Sequence, residues 1–558
     1  MLNNETRRGS SLSTQLGNMK FKSTVSLSSV LALSILCGQT HAQNAPSVEQ
    51  LQQQLRQMQE DFRKQQEMQQ RQIKILEQQL QQLQQSQSSL TTQQQALKEQ
   101  VAAAPVSTNS AAGGSSVLDQ PWRLTDPIRV GRGNAYMEMG LVGTFAAGAS
   151  TANDISDLQR GGHDPSQRGF SLQGVEASFS GAVDPYFKGS ANILFGLDTG
   201  GETFVELEEG WLETTTLPGN FQIRAGQYLT EFGRINTQHP HSWSFVDAPL
   251  VNARFLGADG LRNLGTRLSW LAPTPWYTEF FLGIQNSQGE TAEGFRSDAG
   301  HSHGGDGEEG IPFSFRHADN NRGLKRLQDL LVSPRLATSF DLTDTQTLLL
   351  GASAAFGPNS NGGGGDDTKT QIYGTDLTWK WRPANHSGGF PFVQWQTEAM
   401  IRKYQVGAFN WDEDGDGLLL DADGDGNPDR GQLFDPATGL PAVLPRETLT
   451  DYGFYTQLAY GFRKGWVAGV RFDYVTGDRA VYQSMGLLEP DGTGGLNPVF
   501  DKYRSTRYRI SPNITWFPTE FSKIRLQYNY DDRTDMGIDH SVWLQFEFVL
   551  GAHAAHKF

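Results

Sequence analysis

The sequence predicts an all-β protein, a 16-stranded antiparallel transmembrane β-barrel carrying an N-terminal α-helical coiled coil. Between about residue 134 and residue 551, sixteen strand-like segments are joined alternately by seven short turns and eight long loops. Sorting connections by length onto two opposite ends is the habit of up-and-down barrels in outer membranes. Many segments alternate apolar and polar residues with a period of two, giving one lipid-suited face and one wet face. Ahead of them lies a Gln-rich tract with a heptad column.

Residues 1–42 read as a secretion signal. From Met19, Lys20 and Lys22 precede an apolar core from Val25 to Cys37, and Thr40-His41-Ala42 offers a cleavage site before Gln43; residues 1–18 read either as an over-called start, with Met19 the true one, or as a long n-region. Arg7-Arg8 lies too far upstream of that core for a twin-arginine signal, and Leu36 is a poor residue to precede a lipidated Cys37. Cleavage would remove the single cysteine, and with it any disulfide or thiol chemistry. It would also shift the formal charge from -15 to about -18, because the segment holds four basic residues and one acid. A chain that acidic is not a general nucleic-acid binder.

Residues 43–101 are expected to form the coil. Val48, Leu55, Phe62, Gln69, Leu76, Leu83, Leu90 and Leu97 recur every seven residues. Early partners lie three residues on (Leu51, Met58) and later ones four on (Ile73, Leu80, Val101), a stutter near Gln69 that unwinds the supercoil locally. A helix of that length would reach about 80 Å. Its expected work is to trimerise the chain or space it toward the cell wall. Residues 102–133, rich in Ala, Ser and Gly at their start, read as a linker, and 134–558 as the barrel.

Within the barrel the alternation is clearest near the C-terminus. Val542, Leu544, Phe546, Phe548 and Leu550 share one face, against Ser541, Trp543, Gln545 and Glu547 on the other. Ile524, Leu526, Tyr528 and Tyr530 oppose Lys523, Arg525, Gln527 and Asn529, and Tyr508, Ile510, Ile514 and Trp516 oppose Arg507, Arg509, Asn513 and Thr515. Sixteen strands enclose a space too wide for side chains to fill, so the polar face is expected inside. Tight turns such as Asp184-Pro185, Leu217-Pro218-Gly219-Asn220, Pro273-Thr274-Pro275 and Arg463-Lys464-Gly465 are flanked by aromatics (Trp270, Trp276, Tyr460, Trp466, Trp516), as an interfacial girdle would be. With residues 43–120 read as coil and linker, no N-terminal plug is expected.

Selectivity is expected in the third long connection, 229–260. Glu231, Arg234, His239, His241, Asp247 and Arg254 are its candidate constriction residues, joined by Arg224 and Arg267 from the neighbouring wall. Charges at a narrow, poorly screened point select ions. Inward parity gathers further cations (Arg335, Lys380, Arg471, Arg507, Arg509, Arg525) but also acids (Glu176, Glu279, Asp341, Asp376, Glu398, Asp473, Glu547), so the lumen reads as mixed.

Two outer loops carry metal-ligand chemistry. Asp412, Asp414 and Asp416, followed by Asp421, Asp423, Asp425 and Asp429, alternate with glycines in the manner of an oxygen cage for calcium. The twelfth positions are Asp423 and Gln432 where an EF-hand has Glu, so neither half is an EF-hand. His301, His303 and His317, with nearby carboxylates, form a candidate zinc cluster.

Phe232-Gly233-Arg234, Asn236-Thr237-Gln238-His239-Pro240-His241, Phe245-Val246-Asp247, Leu268-Ser269-Trp270-Leu271 and the ending Phe546 to His553 carry a resemblance. On them the chain resembles the phosphate-selective porin O and P group, and within it the relatives labelled zinc-regulated outer-membrane porins or receptors. The resemblance implies a passive, trimeric, sixteen-stranded channel in the outer membrane, with no enzymatic step and no required cofactor. The group's dense basic ladder is missing from the third loop, so phosphate is not carried over as substrate. Two rivals keep a place: a zinc-related uptake receptor, and a cell-wall tether anchored by the barrel. An outer-membrane hydrolase is disfavoured because the histidines lie in loops, in a placement that gives no triad.

Overall fold

The computed structural model describes residues 128–551, apart from 133–134 and short loop stretches of which 297–312 and 420–430 are the longest. The signal, the coil and most of the linker lie outside the described residues. Sixteen long strands follow in order. The first eight are β1 (Ala135–Ser150), β2 (Gly169–Ala182), β3 (Phe187–Leu197), β4 (Thr203–Thr214), β5 (Phe221–Leu229), β6 (Arg262–Leu271), β7 (Tyr277–Asn286) and β8 (Leu330–Thr343). The rest are β9 (Gln346–Pro358), β10 (Lys369–Trp381), β11 (Phe392–Val406), β12 (Glu447–Arg463), β13 (Trp466–Gly477), β14 (Arg507–Thr519), β15 (Ser522–Arg533) and β16 (Gly537–Gly551).

Each strand pairs antiparallel with its sequence neighbours, and β16 closes on β1 from Gly140↔Gly551 to Ser150↔Ser541. A short leading strand, Ile128–Arg132, pairs with the first residues of β1 below that seam. Closure leaves no strand edge exposed. The sixteen-stranded antiparallel barrel expected from the alternation is therefore the fold.

Parity also holds. Val542, Phe546 and Phe548 face outward and are about 40% or more exposed (47, 42 and 42%), whereas Ser541, Gln545 and Glu547 face the lumen and are buried. Aromatics gather at the turn end: Trp466 stacks on Trp516 with centroids 5.8 Å apart, Trp270 stacks on Phe280 at 5.7 Å, and Trp276 stands exposed.

The sorting of connections by length is less strict than the sequence suggests. Loop 2, residues 198–202, and loop 8, residues 534–536, sit at the loop end yet are as short as turns. Conversely the turn 382–391 is long for its end. Turn-forming residues mark where a chain reverses and carry no information about which end of a barrel it reverses at.

The apolar core is not between strands but inside them. Loop 3, residues 230–261, runs into the lumen and holds helix α1 (Leu250–Leu256). Its Phe232, Ile235, Leu250, Val251, Phe255, Leu256 and Leu261 form one buried cluster with lumen-facing Leu331, Ala355, Ile372, Met400, Tyr455 and Val475 from β8 to β13. Gly374 on β10 makes room for the Phe232 ring, since a Cβ there would come within 2.7 Å of it.

A second cluster caps the loop end. Phe315 of loop 4 (287–329), Trp411, Leu433, Ala442 and Leu444 of loop 6 (407–446), and Tyr482 and Leu487 of loop 7 (478–506) pack on Tyr404, Val406 and Leu449 at the strand tops. Short pairings stiffen it, Phe409–Asn410 with Val443–Leu444 and Phe434–Asp435 with Leu440–Pro441 and Leu488–Pro490. Arg316, only 1% exposed, bonds the carbonyls of Ser314 (2.7 Å), Gly407 (2.9 Å) and Pro445 (2.6 Å) and pairs with Glu447 at 3.2 Å. One buried guanidinium thus ties loop 4 to loop 6.

Candidate functional site

Loop 3 leaves β5 at Thr230 and is held to nearly every part of the wall by charged and amide groups. The residues expected at a constriction are all in or beside it, but they divide among five places rather than forming one ring.

Arg224 and Arg267 share Glu213, at 2.7 and 2.6 Å, and Arg267 also pairs with Glu231 at 2.5 Å. Lys188 reaches Glu213 from β3 at 2.9 Å, and Arg224 stacks over Trp211 at 3.8 Å. This group fixes the start of loop 3 to β3–β6.

Arg234 lies where the loop crosses to the opposite wall. There the Gly233 amide donates to Ser353 Oγ at 3.1 Å and the Ile235 amide to Glu398 Oε1 at 2.8 Å. Burial lowers the Arg234 guanidinium from its ordinary value, against the pull of Asp376 and Glu398. Arg335 and Asp376 pair beside it at 2.6 Å.

Asp247 sits at the loop tip, 4% exposed, and binds β13–β15. It pairs with Arg471 at 2.8 Å and Arg509 at 3.1 Å and accepts from Gln527 and Asn529, both at 2.8 Å. Burial pushes this carboxyl up, but the two guanidiniums outweigh burial and hold it below its ordinary range. Arg525 donates to the carbonyls of Trp243 and Phe245, each at 2.8 Å, and Lys523 to that of His241 at 2.5 Å. Lys523 is the second residue after the turn that opens β15, so the loop penetrates close to the turn end.

Arg254 on α1 turns the other way. It donates to Gln159 of loop 1 at 2.7 Å and to the Ser505 carbonyl of loop 7 at 3.0 Å, while its own carbonyl accepts from Arg402 at 3.0 Å.

His239 and His241 form the fifth group, against β2 and β4. Their rings stack at 5.8 Å. His239 Nδ1 lies 3.4 Å from both Glu176 Oε1 and Glu208 Oε2, its Nε2 lies 3.1 Å from Glu209 Oε2, and the Asn192 amide is 2.9 Å from Nε2. His241 Nδ1 is 3.2 Å from Glu176 Oε2, and His163 of loop 1 is 3.1 Å from Glu208 Oε1. Burial opposes charge on His239, but the Glu176, Glu208 and Glu209 carboxylates prevail and hold the imidazole well above its ordinary value.

Glu208 and Glu209 escape a reading by alternation, which sends neighbours to opposite faces. A β-bulge explains them: Asn192 faces Glu209 while Ile193 faces Leu207, so Glu208 is the extra residue and both carboxylates turn to the lumen. Two adjacent glutamates before a glycine are the one sequence signal that could have raised this.

Most of the inward cations are therefore spent on acids and on loop 3 carbonyls, with further pairs at Arg402–Asp451 (2.7 Å), Arg504–Asp451 (2.6 Å) and Arg507–Asp531 (2.6 Å). The array is not a continuous basic track. Of the candidate calcium ligands, Asp412 is described: its carboxylate accepts from the Gly417 amide at 3.1 Å. Asp414, Asp416, Asp421, Asp423, Asp425 and Asp429 lie outside the described residues, as do His301, His303 and His317.

No family model matches the chain. An uncharacterized protein of Aquifex aeolicus (strain VF5) is 29% identical over 421 residues, 71% of this chain and 73% of that protein. Among solved structures, the outer membrane channel DcaP of Acinetobacter baumannii matches 75% of this chain and 98% of its own, with 11% identity and a TM-score of 0.42. An anion-selective porin from Comamonas acidovorans matches 74% and 100%, with 6% identity and a TM-score of 0.39. OmpT of Vibrio cholerae, an outer membrane protein, matches 75% and 99% at 7% identity and a TM-score of 0.40.

Proposed function

We propose that the chain is an outer-membrane porin that lets small ions and solutes diffuse passively through a channel narrowed by loop 3. The observation that carries this is the closed sixteen-stranded wall with apolar side chains outward and charged side chains inward. A lipid-facing exterior around a polar interior suits a bilayer and no aqueous compartment. No helix among the described residues is long and apolar enough to cross a membrane, which a barrel does not need.

Because loop 3 brings an apolar cluster into the lumen and loops 4, 6 and 7 cover its mouth, the route is narrow and excludes bulky cargo. Assembly as a homotrimer, a periplasmic coil reaching the cell wall, and calcium in loop 6 belong to the same proposal. The purified chain in a planar bilayer tests it: small, stable, ohmic steps are expected, with reversal potentials in KCl, phosphate and zinc salts ranking the solutes. Absence of any step from correctly folded, inserted protein would overturn the channel reading and leave the tether.

A further inference from the structure

We propose that His239, Glu176 and Glu208 bind one divalent transition-metal ion of the zinc type, which pins loop 3 to β2 and β4. The three residues each offer a donor atom within 4.8 Å of the others. The decisive measure is the spacing around Nδ1, 3.4 Å to Glu176 Oε1 and 3.4 Å to Glu208 Oε2. A charge-assisted N–H···O bond closes to about 2.7–2.9 Å, so these two contacts are long for hydrogen bonds. Zinc bonds of about 2.0–2.1 Å at tetrahedral angles set neighbouring donors about 3.3–3.4 Å apart. The separations are those of tetrahedron edges.

A second observation agrees. Glu208 is 3% exposed, and its Oε2, the atom turned toward Nδ1, receives no hydrogen bond. A carboxylate oxygen removed from water in that way is costly unless a cation meets it.

The surrounding groups supply the outer layer that zinc sites use to orient their ligands. Glu209 sits 3.1 Å from the far nitrogen of His239 and orients the ring so that Nδ1 faces the metal, which would displace its proton. His163 holds the other oxygen of Glu208 at 3.1 Å, and His241 that of Glu176 at 3.2 Å. The fourth position falls to water or solute. Imidazole and carboxylate donors without thiolate suit zinc and its neighbours in the first transition row, and calcium would want more oxygens. This site joins loop 3 to the wall and does not depend on whether solutes cross the barrel.

The test uses the full chain in detergent, in a background carrying His301→Asn, His303→Asn and His317→Asn, titrated with zinc chloride by calorimetry. One zinc per chain is expected, weakened about 100-fold or more by Glu208→Gln or His239→Ala. Glu209→Gln, which meets His239 at its far nitrogen and the Leu229 amide at its other oxygen, should weaken it about 10- to 100-fold. Cobalt loaded in place of zinc should give the intense visible bands of a tetrahedral ion in the background protein. Heat-resistant gel mobility confirms that each variant is folded. No zinc uptake by the background protein, or undiminished uptake by folded Glu208→Gln, would overturn the site. If Glu208→Gln does not fold, the cobalt spectrum decides, a pale octahedral spectrum or none counting against it. Conductance is not read, so failure here stays separate from failure of the channel.

Discussion

Arg471 Nη2 donates to Asp247 Oδ1 at 2.8 Å, a bond that spans 224 residues and joins the tip of loop 3 to β13. Both groups are at least nine-tenths buried. Removing one partner of such a pair strands the other, at a cost of about 3–5 kcal/mol. Asp247→Ala also deprives Arg509, Gln527 and Asn529 of an acceptor. The expected result is an intact barrel with a loosened tip: faster proteolysis within 230–261 and larger conductance steps. Wild-type values for both would show that the tip is held elsewhere.

Gly233 has φ +59°, and a Cβ there would collide with the Glu398 carboxylate. Gly233→Val adds the strain of a branched residue in the left-handed region to that collision. A loss of about 2–3 kcal/mol is expected in the local stability of loop 3, read as hydrogen-exchange protection of the Gly233 and Ile235 positions. Equal protection in the variant would contradict the crowding.

In the cap, Arg316→Met should release loop 6 without touching the barrel. Its carbonyl partners and Glu447 lose a charged donor, worth about 2–4 kcal/mol. Cleavage between 408 and 446 is expected at lower protease, with thermal unfolding of the barrel unchanged. Coupled loss of both would mean that cap and wall unfold as one.

Asp164 of loop 1 accepts from the Gly161 amide at 2.6 Å and the Ala248 amide at 2.8 Å, clasping loop 1 to loop 3. Burial, then Asp247, push its carboxyl from 3.8 up to about 6, against Arg509 and the two amides. A pKa raised by folding adds stability that is full below the unfolded value and is lost as pH rises through the folded one. The clasp should therefore loosen between about pH 4 and pH 7, by at most about 3 kcal/mol. Asp247, held low, acts in the opposite sense and only in stronger acid. Limited proteolysis of 151–168 across that range should steepen in wild type and stay flat in Asp164→Asn. Parallel profiles would assign the pH response to another group.

The wall was legible because alternation is a local property. Ile510, Tyr528 and Phe546 each announce their face within a few residues, and the lumen-facing Arg471, Asp473 and Glu398 follow from the same parity. Loop 3 carries Phe232, Leu250 and Phe255, which have no place on a wet surface, so its burial follows from its composition. What alternation could not reach was pairing across the lumen. His239 could be seen as a candidate, but its glutamates depend on the bulge at Glu208 and on how far the loop descends. Arg316 was invisible for a similar reason: apart from Ser314, its partners lie more than ninety residues away, with Gly407 at a separation of 91.

Loop 3 bonds β14 and β15 on one side of the β1–β16 seam and Glu176 of β2 on the other. A seam bridged in this way is held from the inside as well as by its own ladder of backbone bonds. The loop works as a hoop set on the inside of the staves, drawing both edges to one register as they meet. A barrel made without it would keep the ladder from Gly140↔Gly551 to Ser150↔Ser541 and lose the clamp laid across it.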